Sequence, residues 1–330
     1  MNCFNDFVLR STRRVAMPIA VYPGITLTKA RVQDGVNNPH AQAEATVTLH
    51  ERYQTAFVLS AMDLSVEAEA FGCTIRFHEN EVPSVLGRLV TNLDEAQRLA
   101  IPKPGDQRTA VYLEVVQRLR SLPDRPLVLA GSIGPFSLAA RLVGVSEAME
   151  LTVTDPELMH LLIEKSTAFL TDYLKAFRAA GADGVIMAEP AAGLLSPRSM
   201  AAHSSAYIRR IRDSLSDDRF AFILHNCAAK VVHLPALLET GLTTFHFGAP
   251  MDLEAALAKV PPEVVVCGNL DPAGVFCHLR PEEVAERTSS VLAATAQYRN
   301  YVLSSGCDIP ANAPLENLDA FFESAKSREG

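Results

Sequence analysis

Eight short runs of β-branched and apolar residues punctuate this chain of 330 residues, each closed by Gly, Pro or a polar cluster and followed by a longer helical pattern. That alternation is the mark of a parallel sheet, and eight parallel strands is the number that closes a barrel. The predicted strands are Pro18–Pro23, Ala56–Asp63, Leu127–Ser132, Gly184–Glu189, Ala221–Cys227, Thr243–Phe247, Val264–Gly268 and Tyr301–Gly306. Between them Ala41–Gln54, Thr109–Arg120, Pro156–Ala180, Pro197–Ser214, Val232–Glu239, Leu253–Ala258, Pro281–Tyr298 and Leu315–Ala325 carry helical patterns. Asp155 before Pro156 is a helix start with an N-terminal cap and a first-turn proline, and Glu282-Glu283 loads acids into another first turn. The expected fold is therefore α/β, a (β/α)8 TIM barrel forming a single domain over residues 1–330. An insertion near 77–107, rich in turn residues, is expected to add a hairpin and a short helix over one rim.

Composition narrows the function classes. An apolar fraction of 48% with 21% charged residues is ordinary for a globular chain and argues against disorder. A net charge of −8 without a dense Lys/Arg stripe argues against nucleic acid as a partner. No run approaches the roughly 18 uninterrupted apolar residues of a membrane helix. Six scattered cysteines and no secretory leader point to a reducing, cytoplasmic location.

In such barrels the chemistry sits at the carboxyl ends of the strands. There the sequence places Tyr22, Asp63, the Gly131–Pro135 turn, Glu189, His225 with Cys227, His246, Asn269 with Asp271, and Cys307 with Asp308. His225 and Cys227 are alternate residues, so they leave a strand on the same side and can converge on one ion. Cys307 follows the last strand and can reach across the mouth. Two thiolates and an imidazole suit zinc, and three protein ligands leave a fourth position for substrate. Taken singly, each has a plainer reading, as a satisfied histidine or as a small buried hydrophobe. Glu189 and His246 compete for the fourth position; Glu189 is equally suited to hold the His225 tautomer, and His246 to a satisfied core role. Gly306 fits either a close approach of the ion to the backbone or a simple turn. Cys267 lies inside a strand, and Cys3, Cys73 and Cys277 have no ligating company. Gly268-Asn269-Leu270-Asp271-Pro272 is a strand-to-helix turn that serves either as a substrate contact or as a helix cap.

Several segments in their order resemble the uroporphyrinogen decarboxylase superfamily, from about Pro18 to Ala325: Val66-Glu67-Ala68-Glu69-Ala70-Phe71-Gly72, Gly134–Ala139, Leu195-Ser196-Pro197, His225-Asn226-Cys227, Gly268–Pro272, Gly306-Cys307 and Pro314–Leu318. Within it the chain is similar to the zinc-dependent methylcobamide:thiol methyltransferases, the branch that includes the coenzyme M enzymes. The decarboxylases carry an arginine-rich carboxylate grip after the first strand, whereas this chain reads Val21-Tyr22-Pro23-Gly24-Ile25-Thr26; Asp63 is shared by both branches.

The resemblance implies a methyltransferase of one-carbon metabolism, with zinc on His225, Cys227 and Cys307. The implied methyl donor is a methylcobamide on a corrinoid-carrying protein, and the acceptor is a small thiol. Asp63, Asn269, Asp271 and Tyr22 are the candidates for holding substrate. Ala228-Ala229 and Asp308 stand where relatives often have Gly-Asp and Gly, which leaves the acceptor open between coenzyme M, another thiol and a pterin. The competing readings are a metal-free decarboxylase-like lyase built on Asp63 and a non-catalytic partner of a corrinoid protein.

Overall fold

The computed structural model describes residues 1–215 and 219–326. Nine strands run in chain order as β1 Phe57–Leu59, β2 Thr74–Arg76, β3 Ser84–Leu86, β4 Leu127–Ile133, β5 Gly184–Ala188, β6 Ala221–Asn226, β7 Thr244–Phe247, β8 Val265–Leu270 and β9 Tyr301–Ser305. Seven of them form one parallel sheet in the order β1-β4-β5-β6-β7-β8-β9, while β2 and β3 form a separate antiparallel hairpin. The strands β4 to β8 are buried almost throughout, as expected for a parallel sheet covered by helices on its outer face.

The strand expected at Pro18–Pro23 does not form. Its residues 22 and 23 begin the helix Tyr22–Leu27, with Pro23 in the first turn, and the stretch before it makes a single parallel bridge, Ala16 to Leu303. Two prolines explain the difference: neither has an N–H to give to a ladder, and Pro23 is suited to open a helix. The extended stretch still docks on β9. Leu303 N donates to Val15 O, Met17 N to Leu303 O, and Ile19 N to Ser305 Oγ at 3.0 Å.

Among the described residues no ladder joins this stretch to β1, so strand pairing does not close the barrel on that side. The two margins face each other across a small apolar pocket lined by Met17, Val21, Leu49, Tyr53 and Val58. Side chains satisfy the free margin of β1. Thr55 Oγ1 donates to Phe57 O at 2.8 Å, Thr46 Oγ1 to Leu59 O at 3.0 Å, and Ala61 N donates to Gln42 Oε1 at 2.9 Å. Two of those three residues, Gln42 and Thr46, lie on the helix Pro39–Tyr53.

The long helix Pro156–Ala180 is the clearest case of local sequence setting a boundary. Asp155 accepts from Leu158 N at 3.1 Å, Pro156 fills the first position, and Gly181 at φ +105° ends it. Between 70 and 100 lie the β2–β3 hairpin and the helix Leu93–Arg98. The segment predicted as one helix from Pro197 is interrupted by a π turn at Ala201–Ser205 before Ala206–Leu215 resumes. Among the described residues no helix is long and apolar enough to cross a membrane.

Candidate metal centre

Three loops at the carboxyl side of the sheet meet backbone to backbone. Cys227 follows β6 and Cys307 follows β9, so the turn after β7 must fit between them. It does so because it carries Gly248, where a Cβ would lie 2.2 Å from the Cys227 carbonyl oxygen. Gly306 plays the same part on the other side, where a Cβ would lie 2.9 Å from Ala249 N and 3.0 Å from Asn269 O. Its role is thus close packing of main chains. With both glycines in place, one ligand atom each from His225, Cys227 and Cys307 lies within 4.8 Å of the others.

Asn226, between the two ligand-type residues of the motif, shapes their turn. Its Nδ2 donates to Glu189 O at 2.8 Å, and its Oδ1 accepts from Ala228 N at 3.1 Å. His225 is buried, and its Nδ1 lies 2.8 Å from Nδ1 of His246, its register partner on β7. His246 Nε2 lies 2.8 Å from Ser304 Oγ, which donates to Met17 O at 2.5 Å. The remaining nitrogen of His225, Nε2, is buried without a hydrogen-bond partner. Burial, and then the neighbouring His225, holds His246 well below the usual histidine range.

The thiols perturb each other. A hydrogen bond from the Cys307 side draws the Cys227 thiol well below its ordinary value against the effect of burial, and His225 beside it acts in the same direction. Cys307 is pushed up by that same bond, by burial and by the charge on Cys227. Two sulfurs that perturb each other beside an imidazole make a set of soft donors of the kind that binds zinc.

The other predicted residues are engaged elsewhere. Glu189 accepts from Phe136 N at 2.9 Å, Ser137 N at 2.8 Å and Ser204 Oγ at 2.9 Å, so its carboxylate caps the helix Pro135–Val143, and it is not part of the three-residue cluster. His246 stands behind His225 and is not part of the three-residue cluster. Asp63 is enclosed: Arg108 Nη1 lies 2.5 Å from one oxygen, and Ser65 N and Oγ donate to the other at 2.9 and 2.6 Å. Tyr22 is buried, with its hydroxyl donating to Met62 O at 3.2 Å. Asn269 ties two loops together by donating to Gly248 O and Met251 O. Asp271 caps its own turn through Ala273 N and Gly274 N.

Sequence reasoning missed Arg108, which lies on no strand-end motif, and passed over Ser304 near the end of β9. Asp308, beside Cys307, has a buried carboxylate that burial pushes well above the ordinary range, against the backbone N–H groups of Met62 and Ile309.

Known proteins resemble this arrangement at several levels. The methylcobamide:CoM methyltransferase MtbA of Methanosarcina acetivorans is 29% identical over 296 residues, covering 87% of this chain and 86% of that protein. A uroporphyrinogen decarboxylase of Pseudoalteromonas atlantica is 25% identical over 314 residues, covering 91% and 87%. A solved methyltransferase from Methanosarcina mazei superposes with a TM-score of 0.87 over 98% of this chain and 97% of that one; at 21% identity that likeness is one of fold. Residues 14–328, nearly the whole chain, match the uroporphyrinogen decarboxylase (URO-D) family, and the chain belongs to that family.

Proposed function

We propose that this protein is a zinc-dependent corrinoid methyltransferase that moves a methyl group from a methylated corrinoid, carried by a partner protein, to a thiol acceptor. The observation that carries this reading is the convergence of His225, Cys227 and Cys307 with one imidazole nitrogen left bare. A buried nitrogen without a donor or acceptor costs free energy unless something fills its place, and the donor set suits zinc. The relatives named as methylcobamide:CoM methyltransferases support the donor, a methylcobamide, and the class of acceptor. Glu189 and His246 hydrogen-bond to other protein groups, which supports three protein ligands with the fourth position open.

Bound zinc would lower the pKa of the acceptor thiol and keep it as the nucleophilic thiolate. The chain's own residues do the rest. Gly248 and Gly306 bring the ligand loops together, and Asn226 fixes the turn that presents Cys227. In the transfer the acceptor sulfur bonds to the methyl carbon as the carbon–cobalt bond breaks, with its electron pair staying on the reduced corrinoid. The decarboxylase reading asks Asp63 to meet the substrate, and the Arg108 ion pair and Ser65 already occupy both its oxygens. Six unbridged cysteines support a reducing, cytoplasmic setting for an enzyme acting as a single barrel domain.

Purified protein is expected to hold about one zinc per chain, and Cys227→Ser or Cys307→Ser to lose it while the fold survives. Turnover, followed by cobalamin absorbance with methylcobalamin and a panel of thiols, should fall by orders of magnitude in Cys307→Ala. Cys267→Ala, at a fully buried position remote in role, is the control that keeps both zinc and transfer. Unchanged metal content in the serine variants, or equal rates in wild type and Cys307→Ala, would overturn the assignment.

A further inference from the structure

A metal ligand of the histidine type must present a lone pair, and a neutral imidazole has only one to give. Which nitrogen offers it depends on where the single ring proton sits. Around His225 the hydrogen bonds decide this in three steps.

Ser304 Oγ lies 2.5 Å from Met17 O, and a carbonyl oxygen only accepts, so the hydroxyl proton points there. Ser304 Oγ is then left as the acceptor for His246 Nε2 at 2.8 Å, which places a proton on that nitrogen. His246 is wholly buried, and no carboxylate among the described residues bonds to it, so its neutral form is favoured and its Nδ1 carries the lone pair. The partner 2.8 Å away, His225 Nδ1, must be the donor. Its one proton so committed, His225 keeps a bare Nε2, the nitrogen found without a partner, on a ring that clusters with the two thiols.

We propose that His246 and Ser304 are positioning residues that lock His225 in the tautomer able to bind the metal through Nε2. The proposal rests on the zinc-thiolate reading above. In many metal sites a carboxylate or a main-chain carbonyl orients the histidine directly. Here two neutral side chains carry the same instruction from a carbonyl on the far side of the sheet's last strand, through β9 and β7 to β6, without adding negative charge to a centre that would hold two thiolates once zinc is bound. The chain of bonds also runs into residues 15–19, so the stretch that replaces the expected first strand helps to hold the ligand.

The direct measurement is the nitrogen chemical shifts of the His225 ring in metal-free wild type, which are expected to show Nδ1 protonated and Nε2 bare. Zinc affinity, measured by chelator competition, is expected to fall about ten- to a hundred-fold in His246→Leu, the usual cost of removing an outer partner of a metal ligand. His246→Asn, whose side-chain oxygen can still accept from His225 Nδ1, is expected to recover most of that loss. The visible spectrum of the cobalt(II)-substituted protein should change in the leucine variant and return in the asparagine one, which a merely structural role would not produce. If the leucine variant does not fold, Ser304→Ala carries the same expectation of weakened zinc binding. A His225 protonated at Nε2, or zinc binding as tight in folded His246→Leu or Ser304→Ala as in wild type, overturns the proposal. None of these readouts needs methyl transfer, so a wild type that shows the tautomer and binds zinc but transfers no methyl group would overturn the proposed activity alone.

Discussion

Glu67 is buried with one oxygen accepting from Ile133 N at 3.0 Å and Ser132 Oγ at 3.1 Å, and the other bonded to nothing. Burial pushes its acid up to about 7. A folded-state value above the unfolded one means that the neutral form is favoured on folding. The contribution is fully present below the ordinary carboxylate pKa and is lost as pH rises through 7. The loss is on the order of 3 kcal/mol. Glu67→Gln keeps the accepting oxygen and cannot ionise, so denaturant melts between pH 4.5 and 8 should show a flatter profile than wild type. An unchanged slope would mean that another group sets it. At this scale the sequence named the three side chains that cluster and was silent on their partners. Two thiols and an imidazole declare themselves by residue type, whereas Ser304 meets His246 from 58 positions away, across two strands that do not pair. The Arg108 partner of Asp63 was equally silent, since it comes from 45 positions away.

Elements set the distance between the ligands. The turn after β7 passes between those after β6 and β9, and Gly248 is the residue that lets it through. Gly248→Ala would put a methyl group against the main chain of Cys227, where no side-chain rotation relieves it. We expect a destabilisation of about 1–3 kcal/mol together with weaker zinc binding by chelator competition, because relief comes from spreading Cys227 away from Cys307. Full zinc affinity in a destabilised variant would show that the strain escapes elsewhere. Seven of the eight expected strands were legible because buried parallel strands are near-continuous apolar runs bounded by turns. The eighth, Pro18–Pro23, has the right hydropathy and the wrong donors, and hydropathy carries no record of a missing N–H. The helix from Pro197 was legible as a helix; its π turn left no mark in the periodicity.

On the whole molecule, the ligand loops share one face with exposed apolar side chains. Leu194 is 62% exposed and Val232 60%, on the turns after β5 and β6, and Gly193 packs against Ala228 beside the cysteine turn. On the proposed function, a methylated carrier would have to bring its methyl group to within about 3–3.5 Å of the acceptor sulfur, so it is expected to cover this face. Crosslinks from residues placed at 194 and 232 to the carrier should form, and crosslinks confined to the opposite end of the barrel would contradict the docking direction. The free margin of β1 lies at the other side of the sheet, where Thr46, Thr55 and Gln42 do the work of a neighbouring strand. A ladder lets go cooperatively, but these three contacts belong to one helix and its exit. Peeling the helix Pro39–Tyr53 therefore bares a strand edge and its apolar floor at once, which is the template on which chains join edge to edge. For this open sheet, fraying of a single helix would expose the edge on which aggregation begins.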